Sequence, residues 1–428
     1  MNGGSRMKMH LLSLGYEGEE ERAKKNMRRY VVETTSYTFS TAISANLVNA
    51  LAMRYMGFGI AELGVLTLLR TATVSIGSAI AMPLVEKHRS ERLKVWLLSG
   101  AVNRVGWALA GISPLLPSPL NQLALFSVVA SSQFAGAIAG VASADTLADN
   151  VRPSVAGKFF GTVASLNNAA TLLAFLLTLI AFRLLPPEWA YASLYSISLL
   201  FALVSTWSLA TLEDLSPQRS RQLDLLRAAR SYAEVMRDGS SRSYLALSNA
   251  FTFAVHLPFA FWDFYVMKVM GGDEIWITVK NIANMALKSL SLKLWSSYVS
   301  SIGAKRSALA SMFSTTPIPV LYTSSDSILA LVGVNVYASI AWTPWEIAST
   351  LYTLYLVSPE RRPSFLSAQN VVSNAVASVS TGVGVMIAAA SGVTAAFLFS
   401  SALRAAVALA SLRWMPELER WGTFRGST

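Results

Sequence analysis

Few ionisable side chains interrupt the long apolar runs of this 428-residue sequence, and those few define the chemistry open to it. The stretch FTFAVHLPFAFWDFY (251–265) carries His256 and Asp263, and the run after it carries Lys280, Lys288 and Lys293. Arg70 sits mid-way along an earlier run, and Glu346 stands beside Trp342 and Trp345 in a later one. A charge held away from water costs several kcal/mol, so each is a functional candidate. Their types do not suggest a catalyst. The three histidines (His10, His88, His256) are scattered, and the absence of cysteine excludes disulfides, thiolate metal sites and thiol nucleophiles. No paired acidic motif for magnesium and no Gly-rich phosphate loop after a strand is present. No catalytic residue, metal or cofactor is therefore expected.

The elements that must hold these charges follow from composition. Hydrophobic residues make up 53% of the chain and charged residues 14%, against roughly a quarter charged in a soluble domain. Uncharged runs such as 120–144 and 364–390 are long enough to cross a hydrocarbon core of about 30 Å. Breaking the runs at Gly, Pro and charge clusters predicts twelve spans: 30–54, 59–84, 93–114, 119–143, 155–182, 188–210, 243–268, 274–297, 306–325, 327–352, 364–390 and 392–413. The expected fold class is an all-α membrane protein. Its predicted parts are an N-terminal tail (1–29), a six-helix bundle (30–210), a linker (211–241), a second six-helix bundle (242–413) and a C-terminal tail (414–428).

The N-terminal stretch lacks the apolar core of a cleaved signal and reads as a retained cytosolic tail. The linker holds Arg219, Arg221, Arg227, Arg230 and Arg237 beside an apolar stripe of Leu223, Leu226, Ala229, Tyr232 and Ala233, the pattern of an amphipathic helix. With both termini in the cytosol, the outward connections hold only Arg54, Arg183 and Lys268, and nearly all other basic residues face inward. That bias accounts for the net charge of +11 without invoking nucleic acid. A multi-pass protein of the plasma membrane in contact with anionic lipid headgroups is expected.

A tripeptide repeats near the half-way mark. Arg152-Pro153-Ser154 returns as Arg362-Pro363-Ser364, 210 positions later, and the turns 82–92 and 296–306 lie 214 apart. With six spans on either side of one long linker, an internal duplication is the economical explanation. At this point the chain resembles the major facilitator superfamily over nearly its whole length. In the turn after the second span Glu86 and Lys87 stand where the acidic-basic pair of that family's motif falls, although Met82 and Arg89 replace its glycines. In the turn after the eighth, Gly303, Lys305 and Arg306 match, while Ser300 and Ser301 replace the charged pair. Asp149, Pro153, Gly157 and Lys158 fit the family's turn into the fifth span loosely.

The resemblance implies two bundles related by a pseudo-twofold axis, a central cavity lined by the first, fourth, seventh and tenth spans, and a monomeric solute carrier working by alternating access. Glu86, Lys87, Lys305 and Arg306 are then candidate gating residues on the inner side. Asp263 and Lys280 fall at similar depth in consecutive spans, and their expected role is a paired outer gate. Lys288 and His256 fall near mid-depth. No acid is evident for Lys288, so it is expected at the charged end of the substrate, with His256, Arg70, Asn46, Trp262 and Glu346 around it. The first span is too polar to face lipid, with Glu33, Thr34, Thr35, Ser36, Thr38, Ser40, Thr41, Ser44, Asn46 and Asn49, and is expected to line the cavity. Arg104 and Arg404 fall in spans that are peripheral in the resembled family, and no role is read for either.

The basic inventory favours a small organic anion with an apolar portion, with a proton as the candidate coupling ion. A proton-coupled exporter of amphipathic or cationic compounds, using Asp263 and Glu346, is the alternative. An intramembrane prenyl- or glycosyltransferase is the weaker one.

Overall fold

In the computed structural model, residues 3–151, 153–214, 225–356 and 362–418 are described, and helices are the only regular secondary structure among them. The first part of the chain forms α1 (Gly3–Tyr55), α2 (Ile60–Lys87), α3 (Arg92–Leu109), α4 (Leu120–Asn150), α5 (Pro153–Leu184) and α6 (Pro187–Ala210). A short α7 (Leu225–Val235) follows, then α8 (Gly239–His256), a single turn α9 (Trp262–Phe264) and α10 (Glu274–Ile302). The remainder is α11 (Ala304–Thr315), α12 (Ile318–Thr323), α13 (Ile328–Tyr355), α14 (Arg362–Ser391) and α15 (Val393–Trp414).

Nine helical segments among the described residues are long and apolar enough to cross a membrane. Three of the twelve expected spans fall short. Two are α1 and α10, whose polar residues lower their hydropathy. The third is the broken pair α11–α12.

Proline accounts for the main departures from the expected spans. Pro258 lacks an N–H and clashes with the preceding turn, so the seventh span is not one helix but α8, a 3₁₀ turn (Phe259–Phe261), α9 and a π turn (Tyr265–Val269). At this break α14 comes close enough that a Cβ on Gly384 would lie 1.8 Å from the Leu257 carbonyl oxygen. Pro317 and Pro319 likewise split the ninth span into α11 and α12. The third span ends as a helix at Leu109 and continues as a 3₁₀ turn through Leu115.

α1 departs the other way and runs back to Gly3, through the expected tail. No proline interrupts that stretch, and Glu20 with Lys24 and Glu21 with Lys25 stand at the i,i+4 spacing that supports a helix. Both copies of the repeated tripeptide mark a helix start, α5 at Pro153 and α14 at Arg362, where proline is tolerated because first-turn N–H groups have no partner. Arg152 lies outside the described residues, as do Arg219, Arg221 and Leu223 of the linker and Arg420 and Arg425 of the C-terminal tail.

Side-chain caps fix the entry of three helices. The carboxylates of Asp238 and Asp273 and the hydroxyl of Ser327 accept from the backbone N–H of Ser241 (2.7 Å), Trp276 (3.2 Å) and Ala330 (3.2 Å). The bond from Ser241 holds the exposed Asp238 carboxyl below its ordinary pKa.

The largest buried cluster joins Ile43, Leu47, Leu51, Leu63, Trp107, Leu125 and Tyr195 of α1–α6. A second joins Tyr244, Phe251, Met312, Tyr352, Phe365 and Val407 of the later helices. The two groups meet where α2 packs on α14 and α5 on α10. Along the first seam the Ser75 hydroxyl donates to the Val371 carbonyl at 3.0 Å, and Gly64 lets Val385 approach α2.

Candidate functional site

A cavity of about 430 Å³ lies between the first six helices and the later ones. Helical period explains its lining. Asn46 and Asn49 share a face of α1 at i,i+3, and Lys280, Asn281 and Asn284 share one of α10. Asn335, Ala338 and Trp342 do the same on α13. The break after α8 turns Phe259, Trp262 and Asp263 inward, α2 adds Arg70, α12 adds Tyr322, and α15 adds Arg404.

The one carboxylate of the lining is fully engaged. Lys280 Nζ lies 2.8 Å from Asp263 Oδ1, and Asn49 Nδ2 donates to Asp263 Oδ2 at 3.1 Å, so a cation of α10 and an amide of α1 meet on one acid. The Tyr322 hydroxyl donates to the Trp262 carbonyl at 3.1 Å, tying α12 to the broken segment. Arg70 carries its guanidinium 5.4 Å from the Trp107 ring centroid. The Arg404 guanidinium is 5.7 Å from Trp342, and its Nη1 donates to the Thr315 carbonyl at 3.0 Å.

On the face away from the chain termini the two groups of helices are tied together. Arg54 Nε and Nη2 donate to the two oxygens of Glu274 at 2.5 and 2.7 Å, the fork geometry of a strong pair. The Tyr191 hydroxyl donates to the same carboxylate at 2.9 Å, and Glu274 is only 2% exposed. Toward the terminal face the lining stripes of α10 and α13 continue to Lys288 and Glu346, whose Nζ and Oε1 lie 2.7 Å apart. Their side chains are 37% and 41% exposed, in contrast to the buried Glu274 of the distal face.

The structure thus gathers Asn46, Arg70, Trp262, Asp263 and Lys280 around one space. Lys288 differs from expectation. Its partner is Glu346, because α10 and α13 pack together and both side chains project from the facing stripes at one depth. His256 is not among the lining residues. Its Nδ1 lies 2.9 Å from the Thr252 carbonyl of its own turn, and its ring is 5.0 Å from that of Phe259.

Of the candidate gating residues, Lys305 faces Glu417 at 3.6 Å; Glu86 and Lys87 end α2, and Arg306 sits in the first turn of α11. The polar groups of α1 mostly serve packing rather than the cavity. The Ser40 hydroxyl donates to the Ser198 carbonyl of α6 at 2.8 Å, and Asn167 bonds Thr34 and Thr35.

Several lining residues carried no sequence signal of their site. Asn281, Asn284 and Asn335 are polar residues in apolar runs, visible as such only once helical phase is known. Arg404 reaches the cavity although its span was expected to be peripheral. The Arg54–Glu274 pair joins residues 220 positions apart.

Solved structures with the same arrangement clarify the fold. A point mutant of nucleoside transporter NupG matches at TM-score 0.71 with 12% identity, over 91% of this chain and all of that one. The xylose transporter XylE from E. coli, in a partially occluded inward-open conformation, matches at 0.66 with 12% identity over 95% and 100%. XylE bound to 6-bromo-6-deoxy-D-glucose, described as a major facilitator superfamily proton:xylose symporter, matches at 0.61 with 13% identity over 95% and 99%. No family model matches the sequence, and neither does any curated protein. Helix order, the tied distal face, the central cavity and these likenesses lead to one identification: the chain has the multi-pass membrane fold of the major facilitator superfamily.

Proposed function

We propose that the chain is a secondary carrier, not an enzyme, moving a small organic solute across the plasma membrane by alternating access. On this reading twelve spans form two pseudo-symmetric six-helix bundles, 30–210 and 242–413, with the linker and both termini in the cytosol. The observation that carries it is the asymmetry of the cavity's two ends. At the distal end Glu274 is buried and bonded to Arg54 and Tyr191, whereas toward the terminal end Lys288 and Glu346 are more than a third exposed, which we read as a closed and an open end. A space sealed on one side and open on the other is what a rocking carrier requires. The similar proteins named above are transporters of nucleosides and xylose, and the cavity asparagines Asn281, Asn284 and Asn335 suit a solute that also carries hydrogen-bonding groups.

The thiol-free sequence makes the test direct. Spin labels on Ala61→Cys of α2 and Leu329→Cys of α13 report the distal separation by pulsed electron resonance. Replacing Glu274 by Gln removes the charge of the distal tie and should add a longer-distance population. One invariant distance, with and without that replacement, contradicts alternating access. Labelling of Leu116→Cys only from the cytosol would overturn the topology.

A further inference from the structure

Arg404 is a fully buried charge that is left largely unsatisfied. It is 1% exposed, among the largest fully buried side chains. A guanidinium has about five N–H donors, yet Arg404 makes a single hydrogen bond, to the Thr315 carbonyl, and its Nε is buried with no partner. That one bond has a local cause. In an unbroken helix the Thr315 carbonyl would accept from residue 319, but Pro319 has no N–H, and the break between α11 and α12 leaves the oxygen free for Arg404. Arg404 is among the residues that line the cavity, and its guanidinium carbon lies 5.7 Å from the Trp342 ring centroid.

No carboxylate among the described residues neutralises it. Among the described residues neither Arg404 nor Arg70 has an ion-pair partner, and Asp263 is committed to Lys280 and Asn49. The lining carries Arg70, Lys280 and Arg404 against Asp263, three cations to one anion. A desolvated charge without a counter-ion is costly to keep, and a guanidinium fork matches the two oxygens of a carboxylate or phosphate.

We propose that the cavity takes an organic anion whose oxyanion group, a carboxylate or a phosphate monoester, docks on Arg404, with Arg70 as the second positive group and Trp342 against the adjoining part of the molecule. This deepens the carrier reading and rests on it for the identity of the site. It moves the charged end of the substrate from Lys288, which already has Glu346, to an arginine with no carboxylate of its own. Asn49 supplies a second unmet group at the same cavity, because its Oδ1 is buried without a partner and can accept from a hydroxyl or amide of the ligand.

The full chain in detergent is screened by thermal shift against small monocarboxylates and phosphate monoesters, each beside its neutral amide or alcohol counterpart. A ligand specific to the folded state raises the melting temperature by mass action. At least one charged member should stabilise the protein while its neutral counterpart does not. Arg404→Gln should weaken its binding by about tenfold or more, and Arg404→Lys should recover part of the loss.

Equal binding of a charged compound and its neutral counterpart, equal affinity in wild type and Arg404→Gln, or no response across the panel overturns the assignment. Should Arg404→Gln fail to fold, the charged-against-neutral comparison on the wild type decides alone. Flux of the bound compound into proteoliposomes separates the two readings. Binding without flux removes the carrier reading and leaves the anion site standing. Flux of a neutral solute undiminished by Arg404→Gln leaves the carrier standing and removes the anion site.

Discussion

Two arginines, Arg104 on α3 and Arg404 on α15, are buried to the same degree in the two parts of the molecule, at 3% and 1% exposure. Each lies over an aromatic ring, Tyr37 at 4.9 Å for Arg104 and Trp342 at 5.7 Å for Arg404. Their partners differ. Arg104 pairs through Nη2 with the buried Glu33 carboxylate and donates from Nε to the Ser205 hydroxyl at 2.8 Å. Gly100 leaves the space this requires, since a Cβ there would meet Nη1 at 2.0 Å. Arg404 has one backbone carbonyl and a cavity. Burial of a cation therefore does not distinguish a strut from a binding group. What its N–H groups meet does.

The comparison predicts opposite responses to removal. Arg104→Met strands the Glu33 carboxylate, which is 2% exposed, and breaking such a pair from one side typically costs about 3–5 kcal/mol. The variant should melt far below wild type, and adding Glu33→Gln should restore much of the loss. If the double variant melts no higher than Arg104→Met, the pair is not what holds α1 to α3.

Arg404→Gln should behave otherwise. It removes a charge that has no counter-ion, and the glutamine amide can still donate toward the Thr315 carbonyl. In ligand-free protein the change should stay within about 1 kcal/mol of wild type, in either direction. A loss as large as that of Arg104→Met would make Arg404 a strut too and erase the contrast.

Much of this fold was legible in the sequence for physical reasons that can be named. Apolar length and charge placement located the helices, and prolines 258, 317 and 319 stood where the spans break, although the sequence reading drew helices through them. Proline shows that a helix must yield but not how far its neighbours compensate; Pro344 stays inside α13.

The cavity was legible in part. Asp263, Lys280 and Arg70 stood out because a charge in an apolar run has few explanations, and depth alone brought Asp263 and Lys280 together. The Glu346 partner of Lys288 and the place of Arg404 at the cavity were not legible, because depth does not give the rotation of a helix about its axis. The partner of Lys288 is 58 residues away on α13. The single bond of Arg404 goes to a carbonyl released by Pro319, in a part of the chain that does not neighbour it in sequence.

The smallest expected effect belongs to Lys288, where the sequence placed the charged end of the substrate, and to its partner Glu346. Lys288 and Glu346 are bonded at 2.7 Å, but both are more than a third exposed, at 37% and 41%. Water therefore screens their attraction, and holding two long side chains in one geometry costs rotamer entropy. Exposed pairs of this kind couple by roughly 0–1 kcal/mol. A double-mutant cycle of Lys288→Gln and Glu346→Gln, read as melting temperatures, should give a coupling at the low end of that range that shrinks further as salt is added. Neither change should alter the affinity for an anion docked on Arg404 by more than about twofold, since the pair is neutral as a unit and lies beyond the lining toward the open end. A large drop in affinity for Lys288→Gln, with Arg404→Gln silent, would return the charged end of the substrate to Lys288 and reverse the order of the two cations.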